Sequence, residues 1–174
     1  MPVLPAADSD LQQVADLVNA AYRGDSSRRG WTHEADYLDG QRTDAESLRR
    51  DLAAQPAAVL LTLRDEPEGD LLGCVWLEPA DGGTWYLGML TVRPDLQDRR
   101  LGRALLEAGE RFAERQGARR IRMTVVNIRD TLIDWYRRRG YALTGETLPF
   151  PYADGRFGQP RRADLNFVVL ERAL

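Results

Sequence analysis

The sequence predicts an α/β domain of the α+β kind. Its sheet is mixed and mostly antiparallel, with six to seven strands flanked by helices in the order βααβββαβαββ. Three observations carry this. Strand-like runs at 58–64, 71–78 and 85–92 are separated only by Pro67-Glu68-Gly69 and Asp81-Gly82-Gly83. Such connections are turn chemistry and suit an antiparallel meander. From Arg99 the apolar period changes from two to about 3.6, through Leu101, Ala104, Leu105, Ala108 and Phe112. A strand, a short helix and two further strands then complete the chain.

The elements follow in order. Residues 3–6 form a short first strand. Asp8 or Ser9 caps a helix whose apolar residues Leu11, Val14, Leu17, Val18, Ala21 and Tyr22 keep helical spacing. Residues 23–40, with Gly24, Gly30, Gly40 and alternating charges, read as an irregular loop. Thr43 or Asp44 opens a second helix that ends before Pro56. After the meander, Gly117 stops the long helix, and 119–126 is a strand. Residues 131–139 form a helix whose end carries Arg137, Arg138 and Arg139 against the negative pole of its dipole, with Gly140 as cap. Residues 141–144 and 166–171 are the last strands, separated by a long Pro-, Gly- and Arg-rich loop.

With 174 residues the length suggests one domain spanning 1–174, with a real core. No apolar stretch reaches the ~20 residues of a membrane span, and the N-terminus has neither the basic nor the apolar region of a secretory signal. A cytoplasmic protein is expected. One cysteine, Cys74, and one histidine, His33, leave no Cys/His metal site, and no metal is expected. A net charge of −3 weakens any nucleic-acid role. All 24 basic residues are arginine, so no lysine is available as nucleophile or phosphate binder.

Two segments carry chemistry. In the first, 90–106, a strand ends at Pro94, a polar turn follows, and a helix begins near Arg100. Its free N–H groups and positive dipole end form an anion site, around which Arg99, Arg100 and Arg103 place guanidiniums able to grip phosphate bidentately. A solvated basic helix face would look the same. In the second, 126–141, a strand feeds a helix ending in Trp135-Tyr136, where Tyr136 serves either packing or chemistry.

Together the segments resemble the GNAT superfamily of N-acetyltransferases. The first reads Val92-Arg93-Pro94, then Gln97-Asp98-Arg99-Arg100-Leu101-Gly102 and Arg103-Ala104; the second reads Trp135-Tyr136-Arg137-Arg138-Arg139-Gly140-Tyr141. The resemblance implies acetyl-CoA as co-substrate, held between the strands 85–92 and 119–126. Leu90, Thr91 and Val92 would pair with the pantetheine arm, the Leu90 N–H would polarise the thioester carbonyl, and Gln97, Asp98, Arg99, Arg100, Leu101, Gly102, Arg103 and Ala104 would surround the pyrophosphate. Arg100 stands where a glycine is expected. Either its side chain obstructs a close approach, or it takes ordinary helical angles and its guanidinium becomes a further phosphate ligand; the kept spacing of Gln97 and Gly102 favours the second. Asn127 lies further from Tyr136 than the usual family asparagine, and Arg129 occupies that offset; the resemblance implies cofactor contacts at these two positions.

The resemblance also implies direct attack by the primary amine of a small polar molecule, with Tyr136 protonating the departing thiolate. Glu34 and Glu78 are the candidate bases, each with a plain alternative as a salt bridge or a strand-end charge; His33 is the weakest candidate. Residues 22–42 and 150–162 are expected to build the acceptor side, where Tyr22, Trp31 and Arg42 would bind an amphoteric, amino-acid-like amine. A non-catalytic acyl-CoA-binding or sensing module on the same fold is the alternative. Exposed strand edges, with 166–170, would permit a homodimer.

Overall fold

The computed structural model describes the backbone of residues 1–174 and the side chains of all but Asp98 and Phe157. Its seven-stranded sheet comprises β1 (Val3–Pro5), β2 (Val59–Arg64), β3 (Leu71–Pro79), β4 (Thr84–Val92), β5 (Arg120–Val126), β6 (Ala142–Pro149) and β7 (Asn166–Ala173). The spatial order is β1-β2-β3-β4-β5-β7-β6. Every neighbouring pair is antiparallel except β4 and β5, which run parallel.

Strand alternation sends side chains to two cores. Leu61, Leu63, Val75, Leu77 and Leu87 meet α3 (Leu101–Arg115) and α4 (Asp130–Arg137) through Leu105, Leu106, Ala113, Ile133 and Tyr136. Leu60, Cys74 and Trp76 face α1 (Leu11–Tyr22) and α2 (Ala45–Ala54) through Leu11, Val14, Val18 and Leu48. The Asp44 carboxylate accepts the Ser47 N–H at 2.7 Å and fixes the start of α2, as its residue type predicts.

Two segments differ from expectation. Residues 23–40 are not a plain irregular loop. They contain a helical turn, Gly24–Ser27, and a two-residue strand, Leu38–Asp39, paired with Gln159–Pro160. Tyr37 and Leu38 are buried with Val126, Phe150 and Leu165 in a third cluster, so apolar burial orders a stretch whose pattern is too broken to read. The strand β6 runs to Pro149 rather than Thr144. Most of its residues are exposed and its pairing with β7 shifts between Leu143 and Thr147, so it lacks the alternation that announces a strand.

The small ribbon depends on Gly158, whose φ is +100°; a Cβ built there would lie 2.3 Å from the Asp39 carbonyl oxygen. Gly158→Ala is therefore expected to destabilise the protein by about 1–3 kcal/mol, from left-handed strain and displacement of Asp39. Denaturant unfolding measures the loss, and limited proteolysis should show new cleavage within 23–42.

Candidate active site

The functional geometry starts from one bulge. Cys74 pairs with Thr91 and Trp76 with Gly88, so Val75 alone faces Met89 and Leu90. The extra residue bends β4, and Met89 takes a left-handed φ of 51°. Pairing of β4 with β5 is confined to Thr84–Arg120, Trp85–Ile121 and Tyr86–Arg122. Beyond Tyr86 the strands separate, while β5 stays paired with β7 as far as Val126.

The separation opens a cleft of about 300 Å³. Leu90, Thr91 and Val92 form one wall, and Leu132, Trp135 and Tyr136 of α4 another. Gln97, Arg100, Gly102 and Arg103 stand at the N-terminus of α3, with Arg139 opposite and Arg129, Tyr22, Trp31 and Thr32 on the remaining side. Residues read separately in the sequence thus converge: Leu90, Thr91, Val92, Gln97, Arg100, Gly102, Arg103, Arg129, Tyr22, Trp31 and Tyr136 all line one space.

Others go elsewhere. Arg99 and Ala104 are exposed and do not line the cleft, and Leu101 is buried in the core. The Asp98 side chain lies outside the described residues. Asn127 is committed to the sheet: its amide donates to the Asp164 carbonyl at 3.1 Å, and its oxygen accepts the Asn166 N–H at 3.1 Å. Glu78 accepts the Trp76 indole N–H at 2.8 Å and does not reach the cleft. The His33 Nδ1 accepts the Ala35 N–H at 3.2 Å.

Arg100 corrects the expectation of ordinary helical angles. Its φ of 62° and ψ of 11° are left-handed, the conformation that glycine adopts without strain. Its side chain nevertheless lines the cleft. Gln97 is also less open than its motif position suggests. Its Oε1 accepts the Trp31 N–H at 3.0 Å, and its amide donates to the Val92 carbonyl at 3.4 Å, so it ties the 23–42 segment to the turn before α3.

Trp135 and Arg139 also line the cleft, where the sequence assigns them no role. The Arg139 guanidinium stacks 3.6 Å from the Trp135 ring centroid and donates to the Trp135 carbonyl at 2.8 Å. Their i, i+4 spacing was the available signal. Burial, with Arg138 and Arg103 nearby, holds the Arg139 pKa below its ordinary value. Burial, chiefly, pushes the Tyr136 hydroxyl well above the ordinary phenol range, and that hydroxyl has no hydrogen-bond partner among the described residues.

Glu34 is the most constrained carboxylate. It is 3% exposed and takes Arg23 at 2.9 Å, Arg42 at 3.2 Å and Arg129 at 3.4 Å. Arg129 also donates to the Thr32 hydroxyl at 2.7 Å. The Arg42 and Arg129 guanidiniums lie 4.3 and 5.5 Å from the centroid of the Tyr22 ring. The Tyr22 hydroxyl donates to the Leu90 carbonyl at 2.7 Å, at the bulge. Burial alone would raise the Glu34 pKa; Arg42, Arg129 and Arg23 together outweigh it and hold the carboxyl below the usual range. That favours a fixed anion over a proton acceptor. Because the folded pKa is lowered, the carboxylate's stabilisation is full above the unfolded value of about 4.3 and is lost as pH falls through the folded pKa. Glu34→Gln is expected to cost about 3–5 kcal/mol at pH 7 by leaving buried cations uncompensated. Denaturant unfolding between pH 7 and 3 should show the wild type losing this advantage over the variant below about pH 4.

Comparison with known proteins agrees with this geometry. The chain matches the family model described as the acetyltransferase (GNAT) family over residues 12–141. Mycothiol acetyltransferase from Propionibacterium freudenreichii subsp. shermanii is 28% identical over 170 residues, covering 90% of this chain and 50% of that protein. The chain thus spans about half the length of the curated relative it matches. Ribosomal-protein-alanine N-acetyltransferase from Brucella melitensis superposes with a TM-score of 0.71 at 18% identity, covering 100% of both chains. YncA from Salmonella typhimurium, solved with its cofactor acetyl-CoA, superposes with a TM-score of 0.69 at 18% identity over 99% of this chain and 93% of that one. The structural likenesses concern the fold, whereas the family match runs through both motifs and the cleft between them: the chain belongs to the GNAT family of acetyltransferases.

Proposed function

We propose that the protein is an acetyl-CoA-dependent N-acetyltransferase acting on the primary amine of a small polar molecule. The observation that carries this reading is the single cleft. A strand edge, Leu90 to Val92, has lost its neighbour; three guanidiniums, Arg100, Arg103 and Arg139, stand at the N-terminus of α3 and across from it; and an unpartnered phenol, Tyr136, lines the same space.

These residues fit the co-substrate. Arg100, Arg103 and Arg139, with the first N–H groups of α3, would hold its phosphates. Leu90 and Val92 offer main-chain groups to its amide-bearing arm, as a sheet edge does to a peptide. When bound, acetyl-CoA supplies an acetyl group on a thioester; the amine nitrogen bonds to the carbonyl carbon as the carbon–sulfur bond breaks and the thiol leaves. The Leu90 N–H stabilises the carbonyl oxygen as it gains charge.

Tyr136 donates a hydrogen bond to the departing sulfur. Its raised pKa keeps it neutral at pH 7, so it is always a donor. Full proton transfer from a phenol near 10 or above to a thiolate of reference pKa about 8.5 is uphill, so its main work is to stabilise charge, and the sulfur takes its proton late. No carboxylate lines the cleft among the described residues. The amine therefore releases its proton to water, with Glu34 holding Arg42 and Arg129 in place.

The first test is calorimetric titration with acetyl-CoA and CoA. Micromolar affinity for both is expected; absence of binding to either would overturn the reading. Tyr136→Phe should lower kcat by 10² or more, with the acetyl-CoA Kd within about threefold of wild type. Unchanged turnover would remove Tyr136 from the mechanism. Arg100→Gly should separate two effects of one residue. Relief of the left-handed strain should raise stability by up to about 1 kcal/mol, while loss of the guanidinium weakens acetyl-CoA binding about tenfold. Thermal unfolding and titration of the same preparation measure both.

A further inference from the structure

The arginines around Glu34 outnumber the charge they surround. Arg42 and Arg129 are bonded to this carboxylate and, among the described residues, to no other. Arg129 is 9% exposed, lines the cleft, and its Nε–H has no hydrogen-bond partner. Arg42 gives Glu34 only its Nη1 group, at 3.2 Å, and its side chain is 24% exposed. Its Nε–Nη2 edge therefore has no partner among the described residues, yet is not sealed off from solvent. That edge is the planar fork that matches a carboxylate side-on.

The position of this fork sets what it can serve. The Arg42 guanidinium sits over Tyr22, and the Tyr22 hydroxyl is anchored on Leu90, the residue placed against the thioester under the function proposed above. One aromatic ring thus separates the free cation from the reacting centre. Arg42 does not itself line the cleft but stands against the Tyr22 ring that does, so an amine whose anionic group is held there would reach past that ring to the carbonyl carbon.

We infer that Arg42, steadied by Glu34 and supported by the charge of Arg129, forms the acceptor's anion subsite, and that the acceptor is a short amino acid whose carboxylate is gripped there. This inference rests on the acetyl-transfer reading for the acceptor's fate, but the subsite itself is a binding property. Glu34 is a positioning residue here. It consumes one edge of Arg42, orients the other, and leaves the group cationic.

The experiment uses α-amino acids with apolar, polar and aromatic side chains, and β-alanine, each paired with its own carboxamide. Thiol release with acetyl-CoA gives kcat/KM for each pair. Calorimetry with the CoA-saturated protein gives binding without turnover. The acids are expected to exceed their amides by about 10²-fold in kcat/KM, mostly through KM. Arg42→Gln should collapse that ratio to within about threefold, and Arg42→Lys should restore part of it, since charge returns without the fork. An unchanged acetyl-CoA Kd in both variants shows that the site is folded. Acids and amides turned over alike would overturn the subsite and leave the transferase reading intact. Acid-selective binding without turnover would keep the subsite and overturn the transferase reading. No selectivity in either measurement would overturn the inference outright.

Discussion

The ion cluster centred on Glu34 is the constraint on which the rest of the site depends. A carboxylate 3% exposed is tolerated only because three guanidiniums reach it, and guanidiniums so deeply placed are tolerated only because it is there. The partners come from three places. Arg23 follows α1, Arg42 precedes α2, and Arg129 is the residue before α4. One buried carboxylate thus ties the two ends of the 23–42 segment together and joins them to the start of α4, one of the helices that border the cleft. Through Tyr22 it extends to the Leu90 carbonyl, and so to the bulge that opens the sheet.

The cleft also draws on backbone strain. Among the described residues, two non-glycine residues have positive φ: Met89, in the bulge that opens the cleft, and Arg100, which lines it. Left-handed angles cost roughly 1–2 kcal/mol at such residues. Met89 sits in the bulge that bends β4 away from β5, and Arg100 starts α3 beside the opening. The packed sheet and α3, with Leu77, Leu105, Leu106 and Ile121 at most 1% exposed, hold both conformations in place.

Charge distribution matters more here than net charge. The chain carries −3 overall, yet Arg100, Arg103, Arg129 and Arg139 converge on one space that no carboxylate lines among the described residues. A cleft walled by low-dielectric side chains focuses that field, which draws an anionic co-substrate toward it. Several surface carboxylates elsewhere are paired with arginines, as Asp36 with Arg28 and Asp39 with Arg161.

By itself the sequence determined what depends on neighbours in the chain. Turn residues between the meander strands, Asp44 ahead of α2, and the change of apolar period at Arg99 are local signals, and the elements follow them closely. That Gln97, Arg100, Gly102, Arg103 and Tyr136 belong together in one cleft was legible for the same reason, since their motifs are contiguous. Tertiary structure decided what depends on distance. Glu34 and Arg129 are 95 residues apart, and no spacing announces their pairing. Asn127 is taken by the Asp164 carbonyl and the Asn166 N–H, both remote in sequence. The left-handed turn at Arg100 is set by how α3 must meet the bulged strand, against the residue's own preference. Burial of an unpaired charge is so costly that the fold, not the local pattern, selects which residues neutralise one another and which is left to meet a ligand.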